Sequence, residues 1–136
     1  MNPRRTLAGF TVFVVGVALG ACGGSDQPTT TSVDPSIQQD LRAEAAARSA
    51  QTAMETYAVD RDGSYAGADV DALARIEPTL KGDPLKVSST PSTYGVAARS
   101  ESGTFFAVAR EADGNLQFKC NAPGEGDCPR GGHWER

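Results

Sequence analysis

Between Ser36 and Asp62 the chain carries no glycine or proline, is rich in alanine and other strong helix formers, and repeats its apolar residues every three or four positions. The series Ile37, Leu41, Ala45, then Ala46, Ala50, Ala53, Met54, Tyr57 and Ala58 predicts one long helix with a narrow apolar face. Its small residues permit close approach to a second layer. Asp34 or Ser36, with Pro35 between them, is the candidate cap. The run Asp60-Arg61-Asp62-Gly63-Ser64-Tyr65 predicts a turn. Asp69 then caps a short second helix, Val70 to Glu77, which Pro78 stops and from which Leu73 and Ile76 face inward.

After Gly82 the period changes to alternation. Leu85 to Ser89, Thr93 to Arg99, Thr104 to Arg110 and Asn115 to Cys120 read as short strands separated by Pro91, Ser102-Gly103 and Asp113-Gly114. The last two separators are hairpin signals. Tyr94, Val96 and Ala98, with Phe105 or Phe106, Val108, Leu116 and Phe118, supply one buried face of an antiparallel meander. The expected fold is α+β, a long N-terminal helix on a sheet of three or four antiparallel strands, with a short second helix.

The N-terminus has a different pattern. Leu7 to Leu19 is a mostly apolar run of 13 residues behind Arg4 and Arg5, interrupted by Gly9, Thr11 and Gly16. A membrane-spanning helix needs about 17 to 25 residues, so the run reads as the apolar region of a signal peptide. It ends in Leu19-Gly20-Ala21-Cys22, which resembles the lipobox of bacterial lipoproteins. The small Gly20 and Ala21 give a lipid-transferring enzyme and a peptidase access to the backbone. The resemblance implies that residues 1–21 are removed and that Cys22 becomes the mature N-terminus, carrying a diacylglyceryl thioether and an added N-acyl chain of the palmitate class. Each buried methylene adds about 0.8 kcal/mol, so two or three chains anchor stably where one does not. The competing reading of Cys22 is a half-buried thiol in an uncleaved anchor. The implied address is the extracytoplasmic face of a bacterial cell membrane. Gly23 in place of an aspartate leaves the outer membrane open in an organism that has one.

Composition narrows the partners. Cleavage would take away two arginines and no acid, leaving 11 basic against 17 acidic residues and a formal charge of −6. The basic residues are dispersed with no aromatic-interleaved stripe, which disfavours nucleic acid. Residues 22–35 then form the lipidated cysteine and a flexible tether, GGSDQPTTTSVDP being too small and polar to order itself. Residues 36–136 have the size of one domain.

Cys120 and Cys128 lie eight apart in a Gly/Pro-rich tail. In an exported chain they are expected to form a disulfide, worth about 2 to 3 kcal/mol for a ring of this size. Two free thiols or a metal site is the competing view, although two cysteines with His133 and Asp127 match no zinc spacing well. Asp60, Asp62 and Asp69 are weak calcium candidates; Gly63 comes too soon after Asp60 for a calcium loop, and no closing glutamate follows. His133 is the only histidine. Tyr57, Tyr65 and Trp134 read as core closures rather than a ligand platform. Glu44, Glu55 and Glu77 have no facing partner set, and no glycine loop precedes a helix to cradle phosphate. No catalytic residue and no cofactor is expected.

The order of parts resembles the soluble portion of type IV pilins and type II secretion pseudopilins over about Ala43 to Trp134. The residues that carry it are Arg48 to Tyr65 at the helix end and turn, Tyr94-Gly-Val-Ala-Ala, Phe105-Phe106-Ala-Val, and the Cys120 to Cys128 loop before Gly131 and Trp134. The resemblance implies a non-catalytic envelope role, in surface presentation or in contact with pilus or secretion proteins. The departure lies upstream. Gly9-Phe10-Thr11 mimics a pilin opening, yet Val14 stands where a glutamate belongs and the apolar run stops at Cys22. A lipid-anchored pilin-like domain is therefore expected first. A divergent minor pilin cleaved after Gly9 is the second reading, and a lipoprotein binding calcium or a small ligand the third.

Overall fold

A computed structural model describes residues 32–135; Cys22 and the lipobox lie outside them. Helix α1, Pro35–Val59, starts where the chain chemistry requires it. The Asp34 carboxylate accepts from the Ser36 backbone N–H at 2.9 Å and from its hydroxyl at 2.8 Å, so Asp34 is the cap. Pro35 takes the first helical position, where a missing N–H costs nothing. These bonds, the hydroxyl's first, hold the Asp34 carboxyl below its ordinary pKa.

Asp40, Ala43, Ala47, Ala50, Met54 and Tyr57 form the buried ladder of α1, spaced alternately by three and four. From Ala50 onward this is the predicted face. Earlier it is not: Leu41 and Ala45 are exposed while Ala43 and Ala47 are buried. The alanines on every side make the early turns nearly uniform in hydrophobicity, and the hydrogen-bond partners of Asp40 decide which side turns inward. After Val59 the helix closes with Gly63 N–H donating to the Ala58 carbonyl at 2.9 Å, and Gly63 has φ +82°, which glycine adopts without strain.

Helix α2 spans Val70–Ile76, capped by Asp69, whose carboxylate accepts from Ala72 N–H at 2.7 Å. Leu73 is buried as expected, but Ile76 is exposed. Glu77 leaves the helix and caps a single 3₁₀ turn, Pro78–Leu80, by accepting from the Thr79 N–H and hydroxyl. Leu80, only 1% exposed, takes the inward place that Ile76 was expected to fill.

Four strands follow: β1 Leu85–Ser89, β2 Tyr94–Arg99, β3 Phe105–Arg110 and β4 Leu116–Cys120. They pair antiparallel in sequence order. Rows of the register set Val87, Val96, Val108 and Phe118 side by side on the inner face. Phe106, not Phe105, points inward. With helices, a connector and this meander, the fold is α+β.

A four-stranded sheet is about 15 to 20 Å wide and a helix about 10 Å, so α1 alone leaves both flanks of the inner face uncovered. Helix α1 lies over β2 and β3. Leu73 and Leu80 complete the core on the β1 side, where α2 packs. On the β4 side the cover is Trp134, fully buried, edge-on to Phe106 at 5.9 Å and to Phe118 at 5.1 Å. Its indole N–H donates to the Lys119 carbonyl at 2.9 Å, and the Arg48 guanidinium stacks 4.8 Å from its ring. Residues from Ser32 on form one compact unit. Among the described residues no helix is long and apolar enough to cross a membrane.

Trp134→Ala should lower unfolding free energy by about 3 to 5 kcal/mol, since it opens the flank under β4 and removes two aromatic contacts. Chemical denaturation followed by far-ultraviolet circular dichroism checks this.

Candidate functional site

The C-terminal loop is built around the Cys120–Cys128 disulfide, whose Cα atoms are 5.8 Å apart. Inside the ring Gly124 N–H donates to the Cys128 carbonyl at 2.9 Å, and beyond it Cys120 N–H donates to the Gly132 carbonyl at 2.9 Å. The loop is tied to α1 through Asp40. That carboxylate has no exposed surface, and it accepts from the Ser102 hydroxyl at 2.5 Å and from Asp127 N–H at 3.0 Å. Gly126, with φ +55°, lies against it so closely that a Cβ there would collide with Asp40 Oδ2. One buried carboxylate thus joins the helix, the β2–β3 turn and the disulfide loop. A carboxylate stripped of water is stable only when such donors replace it.

A second carboxylate does the same at the other end of α1. Glu55 accepts from the Tyr65 hydroxyl at 2.7 Å, the Tyr94 hydroxyl at 2.8 Å and Arg110 Nη1 at 3.2 Å. Arg110 and Glu55 are the one ion pair among the described residues. Tyr65 and Tyr94 meet edge-on with ring centroids 4.8 Å apart. Burial pushes both phenols above their ordinary pKa of 10.0, most strongly Tyr94, and donation to Glu55 adds to it. Glu55 therefore has the facing partners that the sequence reading denied it. All are donors, so the arrangement fastens α1 to β2 and β3 and leaves the carboxylate already satisfied.

The other candidates fall apart in space or into structural roles. Asp60 and Asp62 are exposed in the turn after α1, and Asp69 is engaged as the α2 cap. No group of three or more His, Cys, Asp or Glu able to hold a metal occurs among the described residues. His133 is exposed while its neighbours Gly132 and Trp134 are buried. Tyr57 is buried and donates to the Ala66 carbonyl at 3.1 Å. Cys22 lies outside the described residues. What the sequence reading missed was the pair of carboxylates. For Asp40 one signal existed: it sits three residues before Ala43 on the ladder that ends at Tyr57.

Comparison with models of known protein families, with curated proteins and with solved structures finds no match to this chain.

Two outcomes follow from these nodes. Asp40→Ala leaves the Ser102 hydroxyl and Asp127 N–H without their charged acceptor and should cost about 2 to 3 kcal/mol. The same variant should let dithiothreitol reduce the disulfide faster than in the native chain, as read by thiol titration. For the tyrosines, the folded pKa lies above the unfolded value of 10.0. Above that pH the unfolded chain holds fewer protons than the folded one, so stability falls as pH rises. Thermal midpoints should hold steady between pH 7 and 9 and drop beyond about pH 10, with a shallower drop in Tyr94→Phe.

Proposed function

We propose that this chain is a lipid-anchored cell-envelope protein whose pilin-like α+β domain acts through protein contact or surface presentation, without catalysis. The observation that carries the reading is the start of α1. Pro35 cannot donate a helical hydrogen bond and its ring crowds the preceding turn, while Asp34 caps the helix that begins there. Any continuation of α1 back into the apolar N-terminal run would have to pass through Asp34-Pro35, which favours a domain carried on a separate anchor, with Cys22 as the attachment point. The C-terminal disulfide supports an oxidising compartment. The helix, short second helix, four-stranded meander and closing loop follow the order of parts that motivated the pilin resemblance.

The partners on this reading are the membrane, through lipid on Cys22, and envelope proteins of a pilus or secretion type. Nucleic acid is disfavoured by the acidic charge.

Intact mass of the N-terminal peptide from the membrane fraction tests it. The expected result is an acylated peptide beginning at Cys22, lost in Cys22→Ala. An unmodified peptide beginning at Phe10 would overturn the anchor and turn attention to filament assembly as a minor pilin.

A further inference from the structure

The face of the sheet turned away from α1 is basic on a chain that is acidic elsewhere. Register places Lys86, Ala97, Ala107 and Lys119 in one row across the four strands, and pairs Arg99 with Phe105 in the next. Lys86, Arg99 and Lys119 are exposed, and the two cations nearest Phe105 flank its ring, Lys86 at 5.4 Å and Arg99 at 5.7 Å. Among the described residues the one ion pair is Arg110 with Glu55 on the inner side, and Lys86, Arg99 and Lys119 take no part in it. Beside Lys86, the small residues Gly95, Ala97, Ala107 and Ala109 leave a shallow hollow of about 230 Å³. A low floor with long basic side chains at its borders lets the charged heads stand clear of the surface.

Where this face sits relative to the chain's entry point is also specified. Gln39 donates to Glu101 and Ser102 to Asp40, which brings the β2–β3 turn against the first turns of α1. Arg99 and Phe105 flank that turn, so this end of the outer face lies at the pole where α1 begins. Of the carboxylates at that pole, Glu101 accepts from Gln39 on the helix side and Asp40 is buried, while Asp34, Asp83, Glu125 and Asp127 stand outside the four strands. Asp60, Asp62, Asp69, Glu111 and Asp113 lie at the other end of α1, near the cations Arg61 and Arg110, and none of the four strands contains an acidic residue.

We infer that the outer sheet face, through Lys86, Arg99 and Lys119 around Phe105, docks on the anionic lipid surface to which the chain is anchored. The inference rests on the membrane-anchor reading above. The 12 residues from Gly23 to Asp34 reach at most about 40 Å, enough to pass around one helix–sheet layer and too little to let the domain stray far. Each basic residue near an anionic surface favours contact about five-fold, and the strands that form this face carry no acidic residue to oppose it. Phe105, half-buried between two cations, sits at the boundary where an aromatic ring meets head groups.

The test takes the full chain purified from membranes and reconstituted into vesicles of phosphatidylcholine, with or without phosphatidylglycerol. Acetylation by a membrane-impermeant reagent is followed by mass spectrometry, with exposed Lys81 in the connector before β1 as the internal reference. Docking predicts that Lys86 and Lys119 are modified about ten-fold more slowly relative to Lys81 on the anionic vesicles alone. The protection should vanish in 1 M salt, where the Debye length shrinks to about 3 Å. Equal rates on both lipids, with the protein retained on the vesicles, overturn docking alone. Protection on both lipids that grows with protein density overturns it in favour of contact with a second copy. Release of the protein from both kinds of vesicle, without acyl mass, overturns the anchor and the docked orientation together.

Discussion

Everything in this domain depends on how close α1 can come to the sheet. Ala43, Ala47, Ala50 and Ala53 are all at most 5% exposed, and with so little side chain between them the helix backbone sits near β2 and β3. Close packing of this kind gains dispersion contacts along the whole interface. It also makes the layer thin in the middle and leaves the flanks to larger groups. Trp134 fills one flank, Leu73 and Leu80 the other, and Tyr57, Tyr65 and Tyr94 close the end near the turn after α1.

An alanine stripe specifies distance well and register poorly, because sliding or rotating it changes little apolar area. The two carboxylates supply what it lacks. Asp40 and Glu55 lie on the same helix about 22 Å apart along its axis. Each is met by donors from other elements, Asp40 by the β2–β3 turn and the disulfide loop, Glu55 by β2, β3 and the segment after the first turn. A rotation of α1 that exposed Leu41 less would strand Asp40 without its donors. Such directional bonds select one arrangement among several of similar burial, a role attested for buried polar groups elsewhere.

These fastenings also organise the surface. With α1 held against one side, the other side of the sheet is free to carry Lys86, Arg99 and Lys119. Among the described residues the acidic ones lie outside the four strands. A basic strand face of this kind suits the surface-presenting role proposed above. The disulfide loop, clamped by Asp40 and by Trp134, stiffens the pole at which α1 begins.

Much of the architecture was legible in the sequence because it follows from local rules. A glycine- and proline-free alanine run makes a helix, Asp34 with Pro35 starts it, alternation makes strands, and Ser102-Gly103 and Asp113-Gly114 turn them. The order of four antiparallel strands follows from short connections alone. The tertiary structure decided which side of the early α1 turns faces inward, because alanine on all sides leaves the hydrophobic pattern nearly flat there. It decided that Leu80 and not Ile76 enters the core, since Glu77 breaks α2 to cap the next turn. It also decided the partners of Asp40 and Glu55, which lie between 10 and 87 residues away in the chain. No local pattern encodes such distant pairings; they exist only once the sheet and helix have brought their atoms together.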